Sequence, residues 1–132
     1  MANQFDDVQL DPNSFSFIEA QGRDQWDTFG PSFGSLTVVG TLTAIGRIRF
    51  VGRWCQFQVQ FSAATSIASV AGTDYFTLPV PAMGLAGIAT MTNLTTNVAV
   101  GVCHVDVVNS RCYLPTQIAS ANVFTICGSY ET

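Results

Sequence analysis

The sequence predicts an all-β domain of short antiparallel strands. Three observations predict it. Apolar, β-branched and aromatic residues recur with a period of two; no useful length of chain shows a helical period; and Gly, Pro, Asn and Ser clusters separate the apolar runs. Eight strands can be drawn, near residues 36–43, 47–51, 53–62, 74–79, 87–92, 98–108, 111–115 and 122–130. Strands of this length and spacing imply a sandwich or barrel, and eight in two sheets is the jelly-roll number.

The chain divides at about residue 30. The first thirty residues hold most of the acidic groups (Asp6, Asp7, Asp11, Glu19, Asp24, Asp27) and aperiodic aromatics (Phe5, Phe15, Phe17, Trp26, Phe29). This composition reads as an extended arm that orders on a partner, with Phe5, Leu10, Phe15, Phe17 and Ile18 as its anchors. The plain alternative is a loose terminus with one covering segment. Residues 31–132 then form the β domain.

Within that domain the segment Arg53–Ser62 is the clearest strand. Cys55, Phe57, Val59 and Phe61 alternate with Gln56, Gln58 and Gln60, so one face is apolar and the other neutral and polar. Gly52 makes a tight turn back to Arg47–Val51. The run Asn97–Val108 is apolar on both faces, which implies cover on both. Asn109–Ser110 reads as the next hairpin turn.

Composition limits function. Of 132 residues 48% are hydrophobic but only 11% are charged, against about 25% in ordinary globular chains. Lysine is absent, and the net charge is −4. A phosphate backbone would need a basic face, so nucleic-acid binding is not expected. No run approaches the roughly 18 charge-free apolar residues of a membrane helix, and residues 1–10 hold two aspartates with no apolar run, unlike a signal peptide. Between Arg53 and Asp106 the only charged residue is Asp74. A monomer with so little surface charge is poorly soluble, so a homo-oligomer is expected.

Catalytic and metal chemistry has little to work with, and neither an enzyme nor a cofactor is expected. The single histidine, His104, shares a strand face with Asp106, but further ligands such as Asp74 or Glu131 would have to be assumed. The serines lack the G-x-S-x-G elbow. Carboxylate pairs for glycoside cleavage are scarce beyond residue 27. The four cysteines, Cys55, Cys103, Cys112 and Cys127, form no CxxC pair; reduced core thiols are the expectation, with disulfides in an oxidising medium as the alternative. Arg47 and Arg49 share a face near Arg53 and suit either an acidic partner or sugar, or a subunit contact. Trp54 suits a sugar ring or, again, a subunit contact.

Three segments carry a resemblance. Ile48-Arg49-Phe50-Val51-Gly52-Arg53-Trp54-Cys55-Gln56-Phe57, Asp74-Tyr75-Phe76-Thr77-Leu78-Pro79-Val80-Pro81-Ala82 and Val123-Phe124-Thr125-Ile126-Cys127-Gly128-Ser129-Tyr130 resemble, in order and spacing, parts of the jelly-roll domains of bacteriophage tail fibres and related virion fibre proteins. Thr77 stands where the family's turn has glycine. The resemblance covers residues 45–130. It implies a homotrimer, a virion location after assembly in the host cytoplasm, and adhesion to a host surface glycan or envelope receptor. The arm would then attach to other virion proteins. A receptor-free virion decoration or adaptor protein is the first alternative, and a secreted lectin-like carbohydrate-binding module the second.

If successive strands run up and down from an arm held at the particle, one set of turns is host-facing: Thr43–Gly46, Ala63–Thr73, Asn93–Asn97 and Pro115–Ala121. Thr43, Thr65, Ser66, Ser69, Asn93, Thr95, Asn97, Gln117 and Ser120 would supply its hydrogen-bonding groups. Gly52, Val80–Ala86 and Asn109–Ser110 would lie at the other end.

Overall fold

In the computed structural model, residues 26–84 and 87–132 are described. The expected anchors Phe5, Leu10, Phe15, Phe17 and Ile18 lie outside the described residues. The described chain is all-β, with no helix and only antiparallel pairings. It forms twelve strands where eight were expected: β1 (Asp27–Phe29), β2 (Phe33–Gly34), β3 (Thr37–Val39), β4 (Leu42–Val51), β5 (Trp54–Ala63), β6 (Ser66–Ser69), β7 (Tyr75–Thr77), β8 (Gly87–Asn93), β9 (Val98–Asp106), β10 (Arg111–Tyr113), β11 (Gln117–Ser120) and β12 (Phe124–Glu131). Nine of them make one sheet in the order β1-β4-β5-β12-β8-β9-β10-β7-β2, and β11-β6-β3 make a small second sheet.

The differences from the expected strands have local causes. Gly40, at φ +88°, ends β3 where a single strand over 36–43 was expected. Such a φ is costly for any residue with a Cβ. The break expected at Thr43–Gly46 does not exist: Leu42–Val51 is one strand, paired to β5 from Leu42↔Ala63 to Val51↔Trp54. Gly46 is there for packing rather than turning, because the ring of Phe29 occupies the place of a Cβ. Phe29 belongs to β1, which pairs with β4 (Asp27↔Ile48, Phe29↔Gly46). The last residues of the expected arm are therefore part of the sheet.

The period-two pattern of β5 predicts its faces correctly. Cys55, Phe57, Val59, Phe61 and Ala63 are buried, while the glutamines face out. β12 pairs with β5 along its full length and adds Phe124, Ile126 and Tyr130 to the same core. The nine-stranded sheet curls back over this surface. Phe76 of β7 meets Phe57 edge-on at 5.6 Å, and Phe33 of β2 lies 5.2 Å from Phe61. One edge of the sheet thus covers the inner face of its other half. Each buried aromatic or aliphatic side chain contributes about 1.5–3 kcal/mol by leaving water.

Tyr130 ties the irregular segment after β7 to this core. Its hydroxyl donates to Val80 O at 2.7 Å and accepts from Val80 N at 3.1 Å. Burial holds its phenol pKa above the usual value. Gly128 has no room for a side chain: a Cβ would sit 2.5 Å from Ile88 O and 2.7 Å from Phe57 Cζ. Gly128→Ala is expected to destabilise the domain by about 1–3 kcal/mol through overpacking. Denaturant melts of the two proteins check this, and equal midpoints would show that the β8–β12 contact is looser.

Cys55, Cys103 and Cys112 are buried free thiols, and Cys127 is exposed on the outer face. Burial raises the Cys55 thiol pKa; the Cys112 thiol is raised by its hydrogen bond with Cys103 and by burial.

Candidate functional site

Strand registers define two ends of the domain. Leu42 opens β4 opposite the last residue of β5, Phe124 opens β12 opposite Phe61 and Asn93, and Asn93 faces Val98. The turns at Ala64–Thr65, Leu94–Asn97 and Ala121–Val123 therefore share one end. At the other end lie Gly52–Arg53 and Glu131, whose carbonyl accepts from Met83 N at 3.1 Å and Gly84 N at 3.2 Å. β1 runs antiparallel to β4, so the described chain enters from the Gly52 end and heads toward the Asn93–Asn97 end.

The polar residues expected at the far end fall into three groups. Thr65, Thr95 and Asn97 sit in its turns, and Asn93 ends β8 beside them. The Asn93 side chain accepts from Thr95 N at 3.0 Å and Thr96 N at 3.2 Å, closing an Asx turn. Thr95 Oγ1 accepts from Val123 N at 3.0 Å, which joins this turn to the start of β12. Asn97 holds φ +59°, a left-handed conformation that asparagine tolerates. The side chains of Asn93 and Thr95 thus shape the turn, and exposed Thr96 and Asn97 are its outward groups. Thr96 was not singled out from sequence.

The second group lies in strands rather than loops. Thr43 is an exposed residue of β4 paired with Ser62. Ser66 and Ser69 belong to β6, and Gln117 and Ser120 belong to β11, which pairs with it. Sequence reading missed both strands because each has only four residues, and β6 is interrupted by serine and alanine. The third case is Ser69, which is buried and donates to Pro115 O at 2.6 Å, so it is closed to a ligand. Gln117 is turned back onto Ile118 O and Ser120 Oγ.

A second polar surface lies on the outer face of the nine-stranded sheet. Arg47 and Arg49 of β4 stand opposite Gln58 and Gln56 of β5. Arg47 Nη2 donates to Gln58 Oε1 at 2.5 Å, and Arg49 Nε donates to Gln56 Oε1 at 2.7 Å. Trp26, one residue before β1, packs against both: the guanidinium carbons lie 5.0 and 4.9 Å from its ring centroid. Beside them a groove of about 280 Å³ is lined by Trp26, Arg49, Gln56, Gln58, Cys127 and Ser129, with Phe57 and Gly128 also at its wall. Trp26 falls within the arm expected from sequence, and the pairing of the adjoining β1 with β4 is what brings it beside the arginines.

The acidic and imidazole groups have structural partners. Asp106 accepts from Val108 N, Asn109 N and Asn109 Nδ2 at 3.0, 3.1 and 2.9 Å, which closes the hairpin turn and lowers its carboxyl pKa. His104 stacks on Tyr113 at 6.2 Å. Asp74 is buried and accepts from Val70 N at 2.8 Å, pinning the turn before β7. Among the described residues, no three His, Cys, Asp or Glu side chains gather in a group that could hold a metal ion, and no helix is long and apolar enough to cross a membrane.

Comparison with protein-family models, with curated proteins and with solved structures finds no match for this chain.

Proposed function

We propose that this chain is the projecting domain of a bacteriophage fibre or spike, a jelly-roll-like sandwich that works as a homotrimer. It attaches to other virion structural proteins through its N-terminal segment and adheres to a host surface glycan or envelope receptor. The observation that carries the reading is the polarity of the domain. The described chain starts toward the Gly52 end, and neutral turns with outward Thr and Asn groups gather at the opposite end. A rigid β scaffold with polar loops at one tip suits binding to sugar hydroxyls. Several copies per spike and several spikes per particle strengthen weak single contacts. Competition tests this: excess purified protein should block adsorption of the particle to its host, and undiminished adsorption would favour a decoration protein without a receptor.

Trimer formation rests on the outer surface. Ile88 and Val102 are 63% and 71% exposed on adjacent strands, and Ile45 and Trp54 are exposed on β4 and β5. The described charges, Arg47, Arg49, Arg53 and Arg111 against Asp27, Asp74, Asp106 and Glu131, cancel. Exposed apolar side chains gathered on one face mark a contact site. Light scattering at micromolar concentration should give three times the 14.1 kDa chain mass; a mass of one chain would refute the trimer.

A further inference from the structure

We propose that the outward surface of β7, β10 and the end of β9 binds a neutral sugar, with the sugar ring against Tyr75 and Tyr113 and two adjacent hydroxyls held between Arg111 and Asp106. This site is distinct from the turns at the far end and does not depend on the virion reading.

Strand pairing puts these residues on one surface. Tyr113 pairs with Tyr75 on one side and with His104 on the other, and Arg111 pairs with Thr77 and with Asp106. Paired positions share a face, so the three rings form one row and the polar groups form the next. Phe76 and Cys112, which alternate with them, are buried, so both rows point outward. Tyr75, Arg111 and Tyr113 are half-buried, and His104 and Thr77 are exposed. This half of the sheet folds back over the other, with Phe76 against Phe57. Its outward surface therefore looks away from the contact residues Ile45 and Trp54. β9 separates β10 from Ile88 on β8, and Asp106 lies about 13 Å along β9 from Val102.

The rings are set in place before any ligand arrives. The Tyr75 ring lies where a side chain on Gly34 would stand. Tyr113 meets Tyr75 at 5.4 Å and 60°, and His104 backs Tyr113 at 6.2 Å. Arg111 spreads over Tyr75, its Cζ 4.2 Å from the ring centroid, and donates to the Tyr113 hydroxyl at 3.3 Å.

The two charges carry the inference. Arg111 and Asp106 stand opposite each other across β10 and β9, and each is drawn aside by other groups. The tyrosines hold Arg111. The hairpin holds Asp106, which accepts from Val108 N, Asn109 N and Asn109 Nδ2. A donor and an acceptor are thus fixed on adjacent strands. The guanidinium has N–H groups beyond the one on Tyr113, and the carboxylate has lone pairs beyond these three bonds. Two adjacent hydroxyls match this arrangement, one accepting from Arg111 and the other donating to Asp106. The Tyr113 oxygen accepts from Arg111, so its own proton serves a ligand oxygen. An acid would be repelled by Asp106 and an amine by Arg111, so the ligand is neutral. A pyranose also brings an apolar C–H face for the tyrosine rings.

The test is a titration of the full chain with maltotriose, cellotriose, mannotriose and galactotriose, read by saturation-transfer NMR. At least one should bind saturably at millimolar concentration. Arg111→Ala and Tyr113→Leu should each weaken that binding about tenfold or more, the loss expected for one charge-assisted contact or one stacked ring. Arg111→Lys, which keeps the charge and loses the planar fork, should not restore it. The melting temperature of each variant shows that the domain is still folded. Replacing the Leu94–Asn97 turn should leave this binding intact, even where host adsorption fails. Saturable binding to none of the four sugars overturns the proposal. So does full affinity in both Arg111→Ala and Tyr113→Leu, which would place the sugar elsewhere. Equal binding of open-chain sorbitol would also overturn it, since the rings would then select nothing.

Discussion

Phe57→Ala is expected to destabilise the domain by about 3–5 kcal/mol, a large part of the roughly 5–15 kcal/mol that holds a domain of this size together. Phe57 is 1% exposed and stands where the curled sheet meets itself. Its ring meets Phe76 of β7 at 5.6 Å and 72°, and Tyr130 of β12 at 5.9 Å and 55°. Removing it leaves a cavity between strands that share no backbone hydrogen bonds, β5 and β7, so relaxation of one strand cannot fill it. The melting temperature should fall by on the order of 10–20 °C. Phe57→Leu should cost clearly less, because it keeps most of the volume. Similar losses for both would show that ring geometry rather than volume sets the cost.

Replacing Leu94-Thr95-Thr96-Asn97 with Gly-Ser-Gly-Gly should abolish host adsorption and leave the fold. The backbone bond from position 94 to Val123 O and the hydroxyl at position 95 that accepts from Val123 N both survive the exchange. Glycine accepts the positive φ at position 97 without strain. What disappears is the outward threonine and asparagine chemistry of the tip. Adsorption should drop to background while the melting temperature changes by only a few degrees. Retained adsorption would move recognition elsewhere or favour a structural decoration. The longer segment Ala63–Thr73 is unsuited to the same exchange, because Ile67 and Ser69 within it are buried.

Much of the fold was legible wherever one strand face is core and the other solvent. β5 shows this best: its Cys-Phe-Val-Phe and Gln-Gln-Gln faces name both its type and its orientation. Glycine misled at Gly46, since a residue without a side chain reads as a turn in sequence but serves an aromatic neighbour in space. The strands β1, β2, β6 and β11 have two to four residues each and lack an apolar run to mark them, whereas β3 falls within the strand expected over 36–43. The grouping of Thr65, Asn93, Thr95 and Asn97 at one end followed from counting strands up and down, and the registers place them together. The use of Asn93, Thr95 and Ser69 within the fold did not follow, because internal hydrogen bonding depends on which turns meet. Trp26 against Arg47 and Arg49 was invisible for the same reason: the pairing of β1 with β4 spans some twenty residues.

The central claim is that the Asn97 end points outward from a virus particle and the Gly52 end points inward. Gold labelling of single cysteines tests it most directly. In a background with Cys127→Ser, which removes the exposed thiol, a cysteine is placed at exposed Thr96 in one protein and at exposed Arg53 in another. Electron micrographs of particles carrying these proteins should show the label from position 96 farther from the particle body than the label from position 53. Labels in the reverse order, or no label on particles at all, would contradict the account.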